Sequence, residues 1–236
     1  MTMNKQSNTY TIIYIVALVV LVGSALAFTA MSLKPRQQAN LDADKMRQIM
    51  ASVHITAEKG ENIIDIYREH ITESFIIRED GARVDGDAFG VNTTLESKKP
   101  AAERLLPVYV CDLGDKGLKY IVPVNGAGLW GPIWGYVSFD SDGSTIYGAY
   151  FAHQGETPGL GAEIEKPAFS DQFDGKHVFK DGRFKPVNVI KAGQKPSDGE
   201  DYVNAISGGT ITSKGVAAML DDCLTPYKNF LSTLNK

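Results

Sequence analysis

The first hydrophobic feature of the chain is an uncharged segment that extends from Ser7 to Leu33. Residues 11–33 are almost wholly apolar, and at about 1.5 Å per residue they would form a helix roughly 35 Å long. That length exceeds the hydrocarbon core of a bilayer, which is about 30 Å thick. Residues 25–27, ALA, resemble a signal-peptide cleavage site, but the apolar segment continues past them and is longer than a usual signal core. The pattern therefore favours an uncleaved transmembrane helix over 11–33, preceded by a short segment, 1–10.

The next part of the chain, residues 34–105, combines helical spacing with polar interruptions. Apolar residues in segment 36–55 recur as they do on a helix, Gly60 interrupts the pattern, and segment 61–75 resumes it. We expect a helical connecting region with short strands here, followed by a main domain over 106–236.

The hydrophobic period shifts towards two from Pro107 onward, which is typical of strands. Two hairpins are predicted, with strands at 107–113 and 118–124 around GDKG, and at 133–140 and 145–154 around SDGS. Segment 167–175 predicts a short helix that begins at a proline and ends before a glycine. Segment 177–191 predicts another strand pair, which turns at KDGR.

The last predicted element is a C-terminal helix whose apolar side chains recur at steps of three and four. This stripe comprises Val216, Leu220, Cys223, Leu224, Tyr227, Phe230, Leu231 and Leu234. Thr212 or Ser213 is well placed as the N-cap of the helix. Helices at both ends with a twisted antiparallel sheet between them predict an α+β fold behind the transmembrane helix.

Composition and charge narrow the classes of function. The 236 residues carry a formal net charge of −4, so no strongly basic surface favours a nucleic acid as partner. The two cysteines and four histidines are scattered, so no metal site is expected. A disulfide would require the fold to bring Cys111 and Cys223 together.

Candidate chemistry lies in the loop before the C-terminal helix, residues 207–216, SGGTITSKGV. A helix N-terminus presents unpaired N–H groups and a positive dipole, and glycines allow a ligand to approach the backbone closely. Together with several hydroxyl groups, these features favour phosphate. The alternative is a capped helix after a flexible turn, since the loop matches neither the Walker A motif nor the G-x-G-x-x-G fingerprint.

Two further stretches carry glycines beside exposed backbone or aromatic rings. In segment 153–163, HQGETPGLGAE, Pro158 and Gly159 suit the central positions of a type II turn. Segment 126–136, GAGLWGPIWGY, places two tryptophans among four glycines, which suits a flat heterocycle. Ordinary packing is the alternative, and it is stronger for Trp134 than for Trp130.

In this order, GLWGPIWGY, HQGETPGLG and SGGTITSKGV behind one N-terminal anchor resemble the C subunit of the sodium-translocating NADH:quinone oxidoreductase. The electron-transport protein RnfG of the Rnf complex is the near relative. The resemblance is strong over 126–216 and weaker over 37–105, where only the general layout agrees.

The resemblance implies a covalently bound FMN, whose phosphate is esterified to the threonine that closes a Ser-Gly-Ala-Thr run. Thr210 is the matching position here, and Thr212 is the local competitor. A separate flavin transferase attaches the cofactor in this family. Two positions depart from the family pattern: Gly209 replaces an alanine, and Asn204 replaces an aspartate, for which Asp201 is a nearby substitute.

The resemblance also implies a set of cofactor contacts but no catalytic acid or base. Glu156 and Thr157 are expected at the isoalloxazine edge, with Leu160 and Gly161 packed beside it. Trp130 is expected to flank the ring, and Lys214 to offset phosphate charge. The remaining cofactor-binding residues belong to the loop itself: Ser207, Gly208, Gly209, Thr212 and Ser213.

Finally, the resemblance implies an assembly and a location. The chain would be one electron relay in a six-subunit complex of a bacterial inner membrane that passes electrons from NADH to ubiquinone and pumps Na⁺. The flavin domain would be periplasmic, although Lys5, Lys34 and Arg36 flank the anchor too evenly to determine its orientation by charge. Two alternatives are a membrane-anchored module that binds a phosphate compound reversibly and a purely structural protein with an empty loop.

Overall fold

The computed structural model describes residues 8–196 and 199–234. Most of the expected N-terminal segment 1–10, and two residues of the polar loop 192–201, lie outside the described residues. The chain divides into two compact units, Met1–Lys45 and Met46–Lys236.

Helix α1 extends from Asn8 to Ala51 and contains the whole predicted transmembrane segment. It is the one helix of the described residues that is long and apolar enough to cross a membrane, with a mean hydropathy of 2.6 in its most apolar window. The predicted anchor and the helical segment after it therefore form one continuous helix, with Pro35 inside it.

A six-stranded antiparallel sheet forms the centre of the second unit, in the order β2-β1-β3-β4-β5-β6. Its strands are β1 (Ile71–Ile77), β2 (Arg83–Val84), β3 (Leu106–Asp112), β4 (Leu118–Ala127), β5 (Pro132–Phe139) and β6 (Ile146–His153). Both predicted hairpins, β3–β4 and β5–β6, are confirmed, and so is the α+β fold class.

Strand β1 corrects the prediction that helical periodicity continues through residue 75. Helix α2 (Ile63–His70) ends where β1 begins, and Phe75 and Ile77 are buried opposite Val108 and Leu106 of β3. The run at 75–77 is apolar and largely β-branched, so it fits a buried strand as well as a helix. The sheet therefore begins before the predicted domain boundary at residue 106.

Smaller elements connect the sheet to the C-terminal helices. They are α3 (Thr93–Glu96), α4 (Pro167–Ser170), the antiparallel pair β7 (Phe179–Lys180) and β8 (Arg183–Phe184), and the parallel pair β9 (Asn188–Ile190) and β10 (Tyr202–Asn204). The short helix at Pro167 and the pair that turns at KDGR were predicted. The pairing of β9 with β10 was not, because these strands are separated by a polar loop.

The C-terminal segment forms two helices, α5 (Thr210–Leu224) and α6 (Lys228–Leu234), whose apolar stripe packs against the sheet. The single predicted helix is interrupted by a 3₁₀ turn at Thr225–Tyr227, because Pro226 has no N–H to continue the helix. The N-cap prediction is also wrong: α5 begins at Thr210 with Gly209 as its N-cap, so Thr212 and Ser213 lie inside the first turn.

Candidate functional site

The site is built around the N-terminus of α5, which follows a tight turn. Gly208 has a φ of +75°, and the N–H of Gly209 donates to the carbonyl of Ile206 at 3.1 Å. The first helical hydrogen bond runs from the N–H of Ser213 to the carbonyl of Gly209. The N–H groups that precede it in α5 therefore have no helical acceptor, and the positive end of the helix dipole lies at Thr210.

The three hydroxyl groups of this first turn have different surroundings. Ser213 is buried, and its Oγ accepts a hydrogen bond from the N–H of Ile206 at 3.0 Å. Thr212 is only 2% exposed, and its hydroxyl donates to the carboxylate of Glu156 at 2.5 Å. Thr210 is exposed, and its hydroxyl has no hydrogen-bond partner among the described residues. Thr210 alone presents a free hydroxyl to an incoming group.

Glu156 is a buried carboxylate that holds two other segments to α5. It is 5% exposed and accepts hydrogen bonds from the Thr212 hydroxyl and from the backbone N–H groups of Leu129 and Trp130. Burial raises the pKa of Glu156, but these hydrogen bonds outweigh burial and bring its pKa below the ordinary value. The side chain is therefore an ionised, fully bonded acceptor at neutral pH.

Two glycines leave room for this carboxylate. A Cβ atom at Gly128 would lie 2.5 Å from Oε1 of Glu156, and one at Gly161 would overlap both Oε2 of Glu156 and Oγ1 of Thr212. Gly161 therefore packs against the Glu156–Thr212 pair. Whether it also packs beside a cofactor, as the sequence predicts, remains a prediction.

The turn between Glu156 and Gly161 has the conformation predicted for Pro158 and Gly159. The N–H of Leu160 donates to the carbonyl of Thr157 at 3.1 Å, and Gly159 has a φ of +75°, as a type II turn requires. This turn brings Leu160 over the α5 loop, since a Cβ atom at Gly208 would lie 2.6 Å from its Cδ2 atom.

Four large apolar side chains are exposed in the segments that meet at this site, and we call them the apolar rim. They are Leu129, Trp130, Leu160 and Ile211, and Trp130 is the most exposed at 68%. Ile211 follows Thr210 directly, Leu160 lies over the loop before it, and Glu156 holds the other two to the first turn. Grouped exposed apolar residues beside open backbone mark a binding site rather than ordinary surface.

The other sequence-predicted site residues are placed as follows. Ser207, Gly208, Thr157 and Lys214 are exposed, and Gly209 is buried. Trp134 is scaffold, as the packing alternative predicts, because its indole N–H donates to Oε1 of Gln48 at 3.0 Å.

The two aspartate-related positions before the loop differ in availability. Asn204 is exposed, and its backbone N–H donates to Oε1 of Gln172. The carboxylate of Asp201 is already paired, since it accepts from Lys180 Nζ and from the backbone N–H of His177, both at 2.8 Å. Asp201 is therefore poorly placed to substitute for an aspartate at position 204.

Sequence reasoning did not single out Gly128, Leu129 or Ile211. Leu129 and Gly128 lie within the stretch GLWG that was singled out, but nothing in the sequence tells which of its residues face the α5 loop. The exposure of Ile211 is predicted only once α5 is known to begin at Thr210.

Comparisons with known proteins agree with this geometry. Residues 128–225 match the FMN-binding domain family, and this span contains the turn at 128–131, Glu156 and the α5 loop. The crystal structure of the C subunit of the Na⁺-translocating NADH-quinone reductase from Parabacteroides distasonis is 49% identical, with a TM-score of 0.79 over 85% of this chain and 97% of that chain. That of Shewanella oneidensis NqrC is 26% identical, with a TM-score of 0.69 over 83% of this chain and 98% of that chain.

A curated relative extends the match through the N-terminal helix. The C subunit of the Na⁺-translocating NADH-quinone reductase of Vibrio anguillarum is 33% identical over 94% of this chain and 92% of its own length. The resemblance predicted from the three motifs is thereby confirmed. The chain belongs to the family of the C subunits of Na⁺-translocating NADH-quinone reductases, which are components of an oxidoreductase complex.

Proposed function

We propose that the chain carries FMN bound covalently through its phosphate to Thr210 and acts as an electron carrier within the reductase complex. The observation that carries this assignment is the contrast between the hydroxyl groups of the first turn of α5. Thr210 is exposed and free, whereas Thr212 and Ser213 are buried and hydrogen-bonded within the protein.

The attachment is a phosphoryl transfer that the chain cannot perform alone, because no general base contacts the Thr210 hydroxyl among the described residues. A separate flavin transferase would supply that base and use FAD as donor. The Thr210 oxygen attacks the phosphorus on the flavin side, the pyrophosphate P–O bond breaks, AMP leaves, and the hydroxyl proton passes to the transferase base. The product is a phosphodiester with one negative charge.

That charge suits the position of Thr210 at the start of a 15-residue helix. The unpaired N–H groups and the helix dipole favour an anion there, and the exposed Lys214 adds a cation one turn further on. The apolar rim offers a surface for a flat ring system, with Trp130 as its aromatic member. When bound, FMN supplies reversible electron transfer, while the protein supplies position and electrostatics.

Family membership supports the wider role. The relatives are named as subunits of an NADH-quinone reductase rather than of the Rnf complex, so the partners would be the other subunits of a six-subunit enzyme. Residues 11–33 would span the bacterial inner membrane, with segment 1–10 in the cytoplasm. Segment 34–105 and the flavin domain at 106–236 would be periplasmic. Binding of NADH and quinone would belong to the other subunits.

The proposal is tested by producing the full chain with and without an active flavin transferase. A flavin-fluorescent band should survive denaturing electrophoresis only in the presence of the transferase, because a phosphodiester withstands denaturation. Flavin or another phosphate compound released on denaturation would instead support reversible binding. A colourless protein made beside the active transferase would contradict the proposal.

A further inference from the structure

The clamp formed by Glu156 is more extensive than a cofactor contact requires. Residues 128–131 form the turn of the β4–β5 hairpin, which is closed by a 2.8 Å hydrogen bond from the Gly128 N–H to the Gly131 carbonyl. Leu129 and Trp130 are the central residues of this turn, and both donate their N–H groups to Glu156. The turn is therefore held by a carboxylate located 26 residues further along the chain.

The same carboxylate also reaches the helix that bears the attachment site. Its Oε2 atom accepts the Thr212 hydroxyl, two residues after Thr210, while Oε1 accepts the N–H of Trp130 at 2.8 Å. The two oxygens thus fix the distance between the Trp130 turn and the first turn of α5. Both Gly128 and Gly161 leave no Cβ in the space that the carboxylate occupies.

Direct contact with a flavin is a poor use of this carboxylate. Protein donors already occupy it from two segments, and the side chain is 5% exposed. Trp130, by contrast, is 68% exposed and is held in place from behind by its own backbone N–H.

We propose that Glu156 is a positioning residue, which holds Trp130 and Leu129 of the β4–β5 turn at a set distance from Thr210 and thereby places the indole beside the flavin ring. This inference rests on the proposed attachment of FMN at Thr210. Without the carboxylate, the two N–H groups of the turn bond to water, and the turn moves independently of α5.

The test uses flavin fluorescence, because an indole in contact with an isoalloxazine ring quenches its emission by electron transfer over short distances. The full chain is loaded by the flavin transferase, and emission and lifetime are measured per covalently bound flavin, well below the unfolding temperature. Trp130→Phe should raise the emission severalfold, and Glu156→Ala should raise it by a similar factor. The double variant should be no brighter than Trp130→Phe alone, because both changes remove the same contact.

Glu163→Ala is the matched control. Its carboxylate accepts the N–H of Gly159 at 3.0 Å in the neighbouring turn, but it is not hydrogen-bonded to the Trp130 turn or to α5. This variant should remain as quenched as the wild type. A general loss of stability would not separate Glu156 from Glu163 in this way, because emission is normalised to flavin bound to folded protein.

The outcomes separate the two proposals. Wild-type emission in Glu156→Ala, with bright Trp130→Phe, would overturn the positioning role while leaving the flavin site intact. Unchanged emission in Trp130→Phe would overturn it as well, since the indole would not be beside the ring. A wild-type chain that takes up no covalent flavin would instead refute the proposed function. If Glu156→Ala fails to fold, Thr212→Val replaces it: brightening supports the clamp, and wild-type emission overturns it.

Discussion

Thr210→Ala should leave no flavin attached after denaturation, and NADH-to-quinone electron transfer in the assembled complex should fall to background. The reason is chemical, because the ester requires a hydroxyl oxygen and no neighbouring hydroxyl can take over. Thr212 and Ser213 are buried within the fold, and each is hydrogen-bonded to another part of it. Thr210 itself is exposed and has no partner to lose, so stability should change by no more than about 0.5 kcal/mol.

Two controls make this result specific to the hydroxyl. Thr210→Ser keeps the nucleophile and should retain flavin, while Thr212→Ala keeps Thr210 and should also retain it. Flavin content is measured as fluorescence in a denaturing gel relative to total protein. Fluorescence that persists in Thr210→Ala and disappears in Thr212→Ala would place the attachment on the other hydroxyl and contradict the assignment.

Gly161→Ala should be the most destabilising small substitution near the site. Its Cβ atom would overlap a carboxylate oxygen of Glu156 and the hydroxyl of Thr212. Overpacking costs about 1–3 kcal/mol, and separating a buried charged acceptor from its donor costs about 1–3 kcal/mol more. We therefore expect the free energy of unfolding to fall by about 2–4 kcal/mol, measured by denaturant titration of the purified full chain in detergent.

Gly155→Ala is the matched control for Gly161→Ala. Gly155 precedes Glu156 directly, its φ is not in the left-handed region, and an added Cβ would meet nothing within 4 Å. This variant should unfold within about 0.5 kcal/mol of the wild type. Equal stability of Gly155→Ala and Gly161→Ala would show that the Glu156–Thr212 pair does not depend on the missing side chain.

Local pattern was sufficient for much of the fold. The hairpins β3–β4 and β5–β6 were predictable because period-two strands flank short turns rich in glycine and aspartate, and both signals lie within a few residues. The stripe on α5 and α6 was predictable for a similar reason. Strand β1 was not, since its buried pairing with β3 depends on residues far along the chain, as in the pair Phe75 and Val108.

The site was predictable in composition but not in arrangement. Any of Thr210, Thr212 and Ser213 could cap a helix by residue type, so the start of α5 could not be chosen from the loop alone. The choice is made by Glu156, which lies 56 residues before Thr212 and binds its hydroxyl. A glutamate in a glycine-rich turn is normally expected at the surface, and its burial becomes evident only when three segments meet around it.

The most direct measurement of the central claim is the mass of the peptide spanning residues 202–214, taken from protein isolated from its native membrane. The account predicts that this peptide is heavier by the mass of FMN less one water, and that fragment ions place the addition on Thr210. An unmodified peptide, or an addition on Thr212, would contradict it.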